Sequence, residues 1–375
     1  MKKQNLILLF LVLLMSLFIL CACTQNKQGP KGDSGRGIVS IDKTSTDGNV
    51  DTYTILYTDG STSTFTVTNA IDTLCRHNFV NYICSYCGEE YFTPGLTIKS
   101  NPTLDGSYYV SGYDGIDREV YIPSHYKNGI VDRIGENAFN GYSGIKNVFI
   151  SHTVKNIGDS AFKNCSQLVN VYIPKDNSLE MIGNNAFNGC RELLSINYLN
   201  NVTKLGDNAF SNCTKIQTFE SLSNLTNIGV RTFENCDGLL SINLTNVLEI
   251  GQYAFNNCIS ITSLIIPECL ENLGEKAFNN CKSLKVLNWN AINCKDITLS
   301  ISIDCTFFKG CNISTINVGE NVSYLPFSVF NGCTDLEIVR YLGAKDDWNL
   351  IEKGNDWNKN TGTYKVYCKD GVIEK

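Results

Sequence analysis

Four residues in one short stretch have the types and spacing of a metal site. Cys75-Arg76-His77 is followed by Cys84-Ser85-Tyr86-Cys87-Gly88, a C-x-H-x6-C-x2-C pattern. In the Cys-x2-Cys-Gly half, turn amides support two thiolates about 2.3 Å from a shared zinc, and glycine permits the tight return. Cys75 and His77, two residues apart, must share one ligand sphere from a loop. Four ligands with none left over describe a closed, structural zinc site, not a catalytic one. The alternative is a thiol pair or disulfide in an exported loop, beside an incidental exposed histidine. A segment of about 20 residues with little apolar content needs a staple of either kind to hold a shape.

Elsewhere the material for chemistry is sparse. The 375 residues include only three histidines, His77, His125 and His152. No nucleophile elbow, phosphate loop or H-E-x-x-H motif is present, and no carboxylate pair stands out, Asp114 and Asp117 lying in a glycine-rich segment; an enzyme is not expected. Lys+Arg 31 against Asp+Glu 37 gives a net charge of −6, with no long basic run, so nucleic acid is not an expected partner. Hydrophobic residues make up 43% and charged residues 18%, which is core-forming material and too little charge for disorder.

The chain opens Met1-Lys2-Lys3, then runs apolar from Leu6 to Leu20, too short for a comfortable membrane span of about 20 residues. It ends Leu20-Cys21-Ala22-Cys23, which resembles the bacterial lipobox. That resemblance implies a signal peptide over 1–22 and a diacylated Cys23 as mature N-terminus, an extracellular protein lipid-anchored to the bacterial cell membrane. The mature chain would hold 29 basic and 37 acidic residues, a net charge of −8. Acyl chains contribute roughly 0.8 kcal/mol per buried methylene, so two or three hold firmly without basic help.

Residues 24–37 carry glycines at 29, 32 and 35, too few collagen-like triplets to nucleate a triple helix, and read as a flexible spacer. Tyr53, Ile55 and Tyr57 alternate with polar residues, as do Phe65 and Val67, and Asp59-Gly60 lies between the two runs. This predicts a β-hairpin, to which residues 37–41 could add a third strand.

From residue 119 the chain repeats itself. Ile134-Gly135 … Ala138-Phe139 recurs as Ile157-Gly158 … Phe162, Ile182-Gly183 … Phe187 and Leu205-Gly206 … Phe210, then at Phe233, Phe255, Phe278, Phe308 and Phe330. The phenylalanine spacings are 23, 25, 23, 23, 22, 23, 30 and 22, a period in the leucine-rich-repeat range. Three residues after each phenylalanine comes cysteine, from Cys165 to Cys333, except that the first copy has Tyr142. Then follows x-x-L-x-x-V-x-I, as in Leu168, Val171 and Ile173, with a short strand expected on its second half. One coil of about 23 residues cannot bury its apolar face alone, so coils must stack into a solenoid with residues in register. Stacked cysteines would hold their Cβ atoms about 4.8 Å apart, longer than the roughly 3.8 Å a bridge prefers, and are expected as core thiols. Glycine after each isoleucine is expected to relieve a tight turn.

With its IG-x-x-AF-x-x-C-x-x-L-x-x-[IV]-x-[IL]-P signature, the chain resembles the BspA-like bacterial leucine-rich repeat surface proteins over roughly 119–375. The 30-residue step near Cys294 departs from the pattern. The resemblance implies a repeat solenoid of short parallel strands, turns and short helical segments, preceded by a small β module. It also implies an adhesion or surface-interaction role, with a host or neighbouring-cell protein or glycan as partner. The expected divisions are signal peptide 1–22, linker 23–37, hairpin module 38–70, Cys/His segment 71–95, N-terminal cap 96–133, solenoid 134–341 and C-terminal cap 342–375. Alternate strand residues point out of the sheet. Among them Phe149, Tyr172, Asn197, Glu220 and Asn243 are the candidate ligand-binding residues, the adjacent rings of Phe149 and Tyr172 foremost. A passive structural surface protein without a specific ligand is the other reading.

Overall fold

Within one repeat the apolar residues fall at unequal intervals that suit neither a helix nor a single long strand. The computed structural model describes residues 38–47, 50–68, 79–80, 83–84, 92–102, 106–127, 129–219, 222–294 and 306–374. The chain divides into two units, Met1–Arg76 and His77–Lys375.

In the first unit, β1 (Ile38–Asp47), β2 (Val50–Tyr57) and β3 (Thr62–Thr68) form an antiparallel sheet in that order. The turn between β2 and β3 closes where Gly60 takes φ +80° and Asp59 Oδ1 accepts the Ser61 amide at 2.9 Å. In the second unit, Phe79–Val80 pairs with Ile83–Cys84 ahead of the repeats.

The repeats form a parallel β-solenoid of about 11 turns. Each coil gives one residue pair, ending on the isoleucine before glycine, to a ladder from Gly129–Ile134 through Asn156–Ile157, Met181–Ile182 and Lys204–Leu205 to Asn272–Leu273. An antiparallel strand, Leu96–Ser100, closes the start of that sheet. The second half of each coil gives a second ladder in two pieces, Glu119–Tyr121 to Ser195–Ile196 and Ser263–Ile266 to Lys365–Cys368. Between the ladders the turns also bond from coil to coil, Phe139 and Phe162 amides donating to the Ala161 and Ala186 carbonyls at 2.7 Å. The backbone is therefore satisfied even where the chain is neither strand nor helix.

The return path consists of turns instead of short helices. Two residues in each coil, and one in the coil of Phe308, take left-handed φ, which a right-handed helix cannot pass through. One precedes Ala-Phe, as at Asn137, Ser160, Asn185 and Asn208 with φ 55 to 57°. The other precedes the cysteine, as at Asn164, Asn212, Asn235, Asn257 and Asn280 with φ 59 to 64°. Glycines 141, 189, 310 and 332 occupy that second place in the remaining coils, at φ 78 to 85°. Among the described residues the only α-helix is α1 (Lys345–Leu350), which buries Trp348.

The isoleucine, alanine, phenylalanine, cysteine and leucine of successive coils are buried in register. Phe139, Phe162, Phe187, Phe210, Phe233, Phe255, Phe278 and Phe308 stack into one column, with neighbouring centroids 4.8 to 5.8 Å apart. Glycine after isoleucine or leucine stands just past the strand pair, where the turn begins. What crowds it is the preceding coil: a Cβ on Gly206 would lie 2.6 Å from the Asn184 amide nitrogen and 2.7 Å from the Gly183 carbonyl carbon. Trp357 meets Phe330 edge-on at 6.1 Å, and Trp348 meets Trp357 at 6.2 Å, so aromatic rings cover the last coils.

Candidate functional site

The strand face begins where Glu119–Tyr121, Asn147–Phe149 and Asn170–Tyr172 pair in parallel, matching Tyr121 to Phe149 and Phe149 to Tyr172. Val120, Val148 and Val171 turn into the core, so their neighbours must face outward. Parallel register then stacks the rings. Tyr121 and Phe149 lie 4.3 Å apart at 4°, and Phe149 and Tyr172 4.7 Å apart at 14°. Phe149 is half-buried and Tyr172 is exposed.

A polar row runs beside the rings. Ser195 Oγ donates to Asn170 Oδ1 at 3.2 Å, Asn170 Nδ2 to Asn147 Oδ1 at 3.0 Å, and Asn147 Nδ2 to Glu119 Oε1 at 3.3 Å. Every donor points toward Glu119, whose other oxygen accepts the Tyr121 hydroxyl at 3.2 Å. A partner would meet ring edges beside oriented amides and one carboxylate. Thr93 caps the outer edge of this sheet, its hydroxyl accepting the Tyr121 amide at 2.7 Å.

Phe149 and Tyr172 are thus brought together, with Tyr121 as a third ring outside the predicted set. Its signal was in the sequence: Glu119-Val120-Tyr121-Ile122-Pro123 repeats the strand pattern one coil early. Asn197 is used within the fold, its Oδ1 accepting the Ile173 amide at 3.0 Å. Asn243 closes its own turn, accepting from the Thr245 amide at 3.0 Å and hydroxyl at 2.6 Å. Glu220 lies outside the described residues.

Between the two pieces of the strand ladder stands Phe219, where other coils have valine, isoleucine or leucine. Its ring meets Phe210 at 4.9 Å and Phe233 at 5.0 Å, both edge-on. Phe210 and Phe233 are 5.8 Å apart, the widest step in the column. Extra volume in a packed core has to displace its neighbours.

The cysteine column holds buried free thiols. Each from Cys165 to Cys311 donates to the phenylalanine carbonyl one coil back, at 3.0 to 3.3 Å. Burial pushes the Cys165 thiol up to about 12 and raises Cys190, Cys213, Cys236, Cys258 and Cys281 well above their ordinary value. Such thiols are protonated and unreactive at neutral pH. Ser124 and His125 form a hydrogen bond of 2.8 Å between Oγ and Nδ1, and Ser124 is buried. Among the described residues no three His, Cys, Asp or Glu side chains gather as metal ligands. Cys23, Cys75, His77 and Cys87 lie outside the described residues, and Cys84 stands in the Ile83–Cys84 strand.

A family model described as the BspA type leucine rich repeat region matches in six copies, over residues 119–240, 176–285 and 248–341. Among solved structures the chain is similar to a leucine rich cell surface protein from Faecalibacterium prausnitzii. The two are 19% identical, with 70% of this chain and 97% of that one covered and a TM-score of 0.43. It is also similar to a leucine-rich repeat protein from Bacteroides ovatus, 23% identical, covering 73% and 81% of the two chains with a TM-score of 0.40. No curated protein matches the chain.

Proposed function

Because the chain belongs to the BspA-type leucine-rich repeat proteins, whose repeats support a binding or structural role and a surface location, we propose that it is a lipid-anchored adhesion protein. In this reading it is tethered through Cys23 outside the bacterial cell, and its strand face contacts a protein or glycan of a host or neighbouring cell. The observation that carries the reading is the outward-facing stack of Tyr121, Phe149 and Tyr172, whose last ring is exposed. The core does not require these rings, since valine fills the inward position in each of those strands. Outward aromatic side chains supply large contact area at low entropy cost, as binding surfaces need. A catalytic role has no place in this reading.

The test is a binding screen of the mature chain against extracellular-matrix proteins and glycans, beside a Phe149→Ala/Tyr172→Ala variant. Saturable binding weakened tenfold or more by the double variant supports the reading. Binding that persists unchanged removes the strand face from it, and no binding to any probe favours a passive structural protein. Anchoring is tested separately. A Cys23→Ser chain should leave the membrane fraction, and an intact mass that retains residues 1–22 would rule out the lipid. Zinc analysis of the reduced chain tests the four-ligand reading of Cys75, His77, Cys84 and Cys87.

A further inference from the structure

The first coil departs from the others at one corner. Tyr142 takes the place that cysteine holds later, and Tyr113 packs against both Phe139 at 5.5 Å and Tyr142 at 4.9 Å. From Tyr113 the chain enters the loop Asp114-Gly115-Ile116-Asp117. The loop is fixed at both ends. The Asp114 amide donates to the Gly95 carbonyl at 3.0 Å, and the Asp117 amide to the Tyr113 hydroxyl oxygen at 2.9 Å. Gly115 is wedged between them, since a Cβ there would lie 2.6 Å from the Tyr113 ring and 2.7 Å from the Pro94 carbonyl oxygen.

At the tip of this fixed loop Ile116 is 96% exposed. It borders a shallow cleft of ≈ 370 Å³ between residues 115–117 and 141–144, with the half-buried Tyr142 on the opposite side. Asp114 and Asp117 are both exposed, and neither joins an ion pair among the described residues. Isolated surface aliphatics are ordinary. This one combines full exposure, a loop with little freedom left to lose, an aromatic wall and two carboxylates in no ion pair among the described residues. An anchor held in place loses little entropy on binding, and a cation is attracted by the carboxylates.

We propose that this corner docks a protein segment in which an aliphatic residue adjoins a lysine or arginine. The aliphatic side chain covers Ile116 against Tyr142, and the cation lies toward Asp117 and Asp114. The site is separate from the ring stack and does not depend on it.

The probe is a fluorescently labelled peptide, Gly-Leu-Lys-Gly-Leu-Lys-Gly, titrated into the mature chain, with glutamate-for-lysine and serine-for-leucine peptides as comparators. The leucine–lysine peptide should bind saturably, with both comparators at least tenfold weaker. Ile116→Ser should weaken binding by about tenfold or more, the scale set by exposing one buried isoleucine. Asp117→Asn should weaken it several-fold and flatten its salt dependence. Phe149→Ala should leave it unchanged, which keeps the outcome distinct from the strand-face reading. Both substituted side chains are exposed, so thermal melts should match the parent. The proposal is overturned if the peptide does not bind, if Ile116→Ser binds it equally well, or if the serine–lysine peptide binds as tightly through charge alone.

Discussion

The phenylalanine column from Phe139 to Phe308 and the outer stack of Tyr121, Phe149 and Tyr172 have nearly the same geometry. Both are rings held parallel at the coil spacing, 4.8 to 5.8 Å in the first and 4.3 to 4.7 Å in the second. They differ in what surrounds them and in how far they extend. The inner column sits among buried alanine, cysteine and isoleucine, and every coil supplies a ring. The outer stack lasts three coils and is then followed by Asn197. A side chain whose loss would open a cavity is fixed in each repeat, whereas a solvent-facing one is free to differ from coil to coil. The outer stack is thus a local choice that the fold does not demand, which makes it the better place to look for function.

The largest expected effect comes from charge in the buried interior. A thiol whose folded pKa lies above its unfolded value of about 8.5–9 stays protonated in the native chain while the unfolded chain loses its proton. Stability is therefore full below about pH 9 and falls above it, by up to about 1.4 kcal/mol per thiol for each pH unit. With several such thiols the midpoint of urea unfolding should drop steeply between pH 9 and 11. A Cys190→Ala/Cys213→Ala variant should show a shallower drop, and an unchanged slope would remove the thiols as its cause.

Next is a ring of the inner column. Phe187→Ala should cost about 3–5 kcal/mol in denaturant unfolding, because its neighbours Phe162 and Phe210 are held 5.2 Å away on either side and cannot fill the gap. Gly206→Ala should cost roughly 1–3 kcal/mol, since backbone of the coil before it occupies the space of the new methyl. Asn235→Ala should cost about 1 kcal/mol and Asn235→Gly only tenths, because φ is +59° there; its amide also donates to Asn212 Oδ1 at 2.9 Å. The smallest effect on stability belongs to the outer stack. Phe149→Ala/Tyr172→Ala should stay within about 1–2 kcal/mol of the parent while changing binding. A loss as large as that of Phe187→Ala would erase the distinction between the two columns.

Much of the fold was legible because the repeat is spelled in residues whose burial is compulsory. Ile157, Ala161, Phe162, Cys165, Leu168 and Val171 are all at most 1% exposed, as their recurrence predicts. Less legible was the ladder that ends on the isoleucine before each glycine. Two residues per coil are too short to show a strand period, and the pairing exists only once coils stack. The left-handed asparagines carried a readable signal, since Asn or Gly precedes each cysteine, and they account for turns standing where short helices were expected. At the candidate site the pair Phe149 and Tyr172 followed from register alone. The separate use of Asn197, whose oxygen is taken up by the Ile173 amide, did not, because amide partners depend on where the neighbouring coil's backbone passes.

By itself, then, the sequence determined the coil, its period, its interior and the direction in which each strand residue points. Those follow from local spacing and from the cost of leaving apolar groups in water. Only the stacked structure decided which outward groups are spent on neighbouring coils and which stay open to a partner. It also decided how Phe219 widens one step of the column, and that Ile116 stands fully exposed on a loop fixed by Gly95 and Tyr113. These features depend on contacts between residues that no local sequence period brings together, several of which exist only when one coil lies against the next.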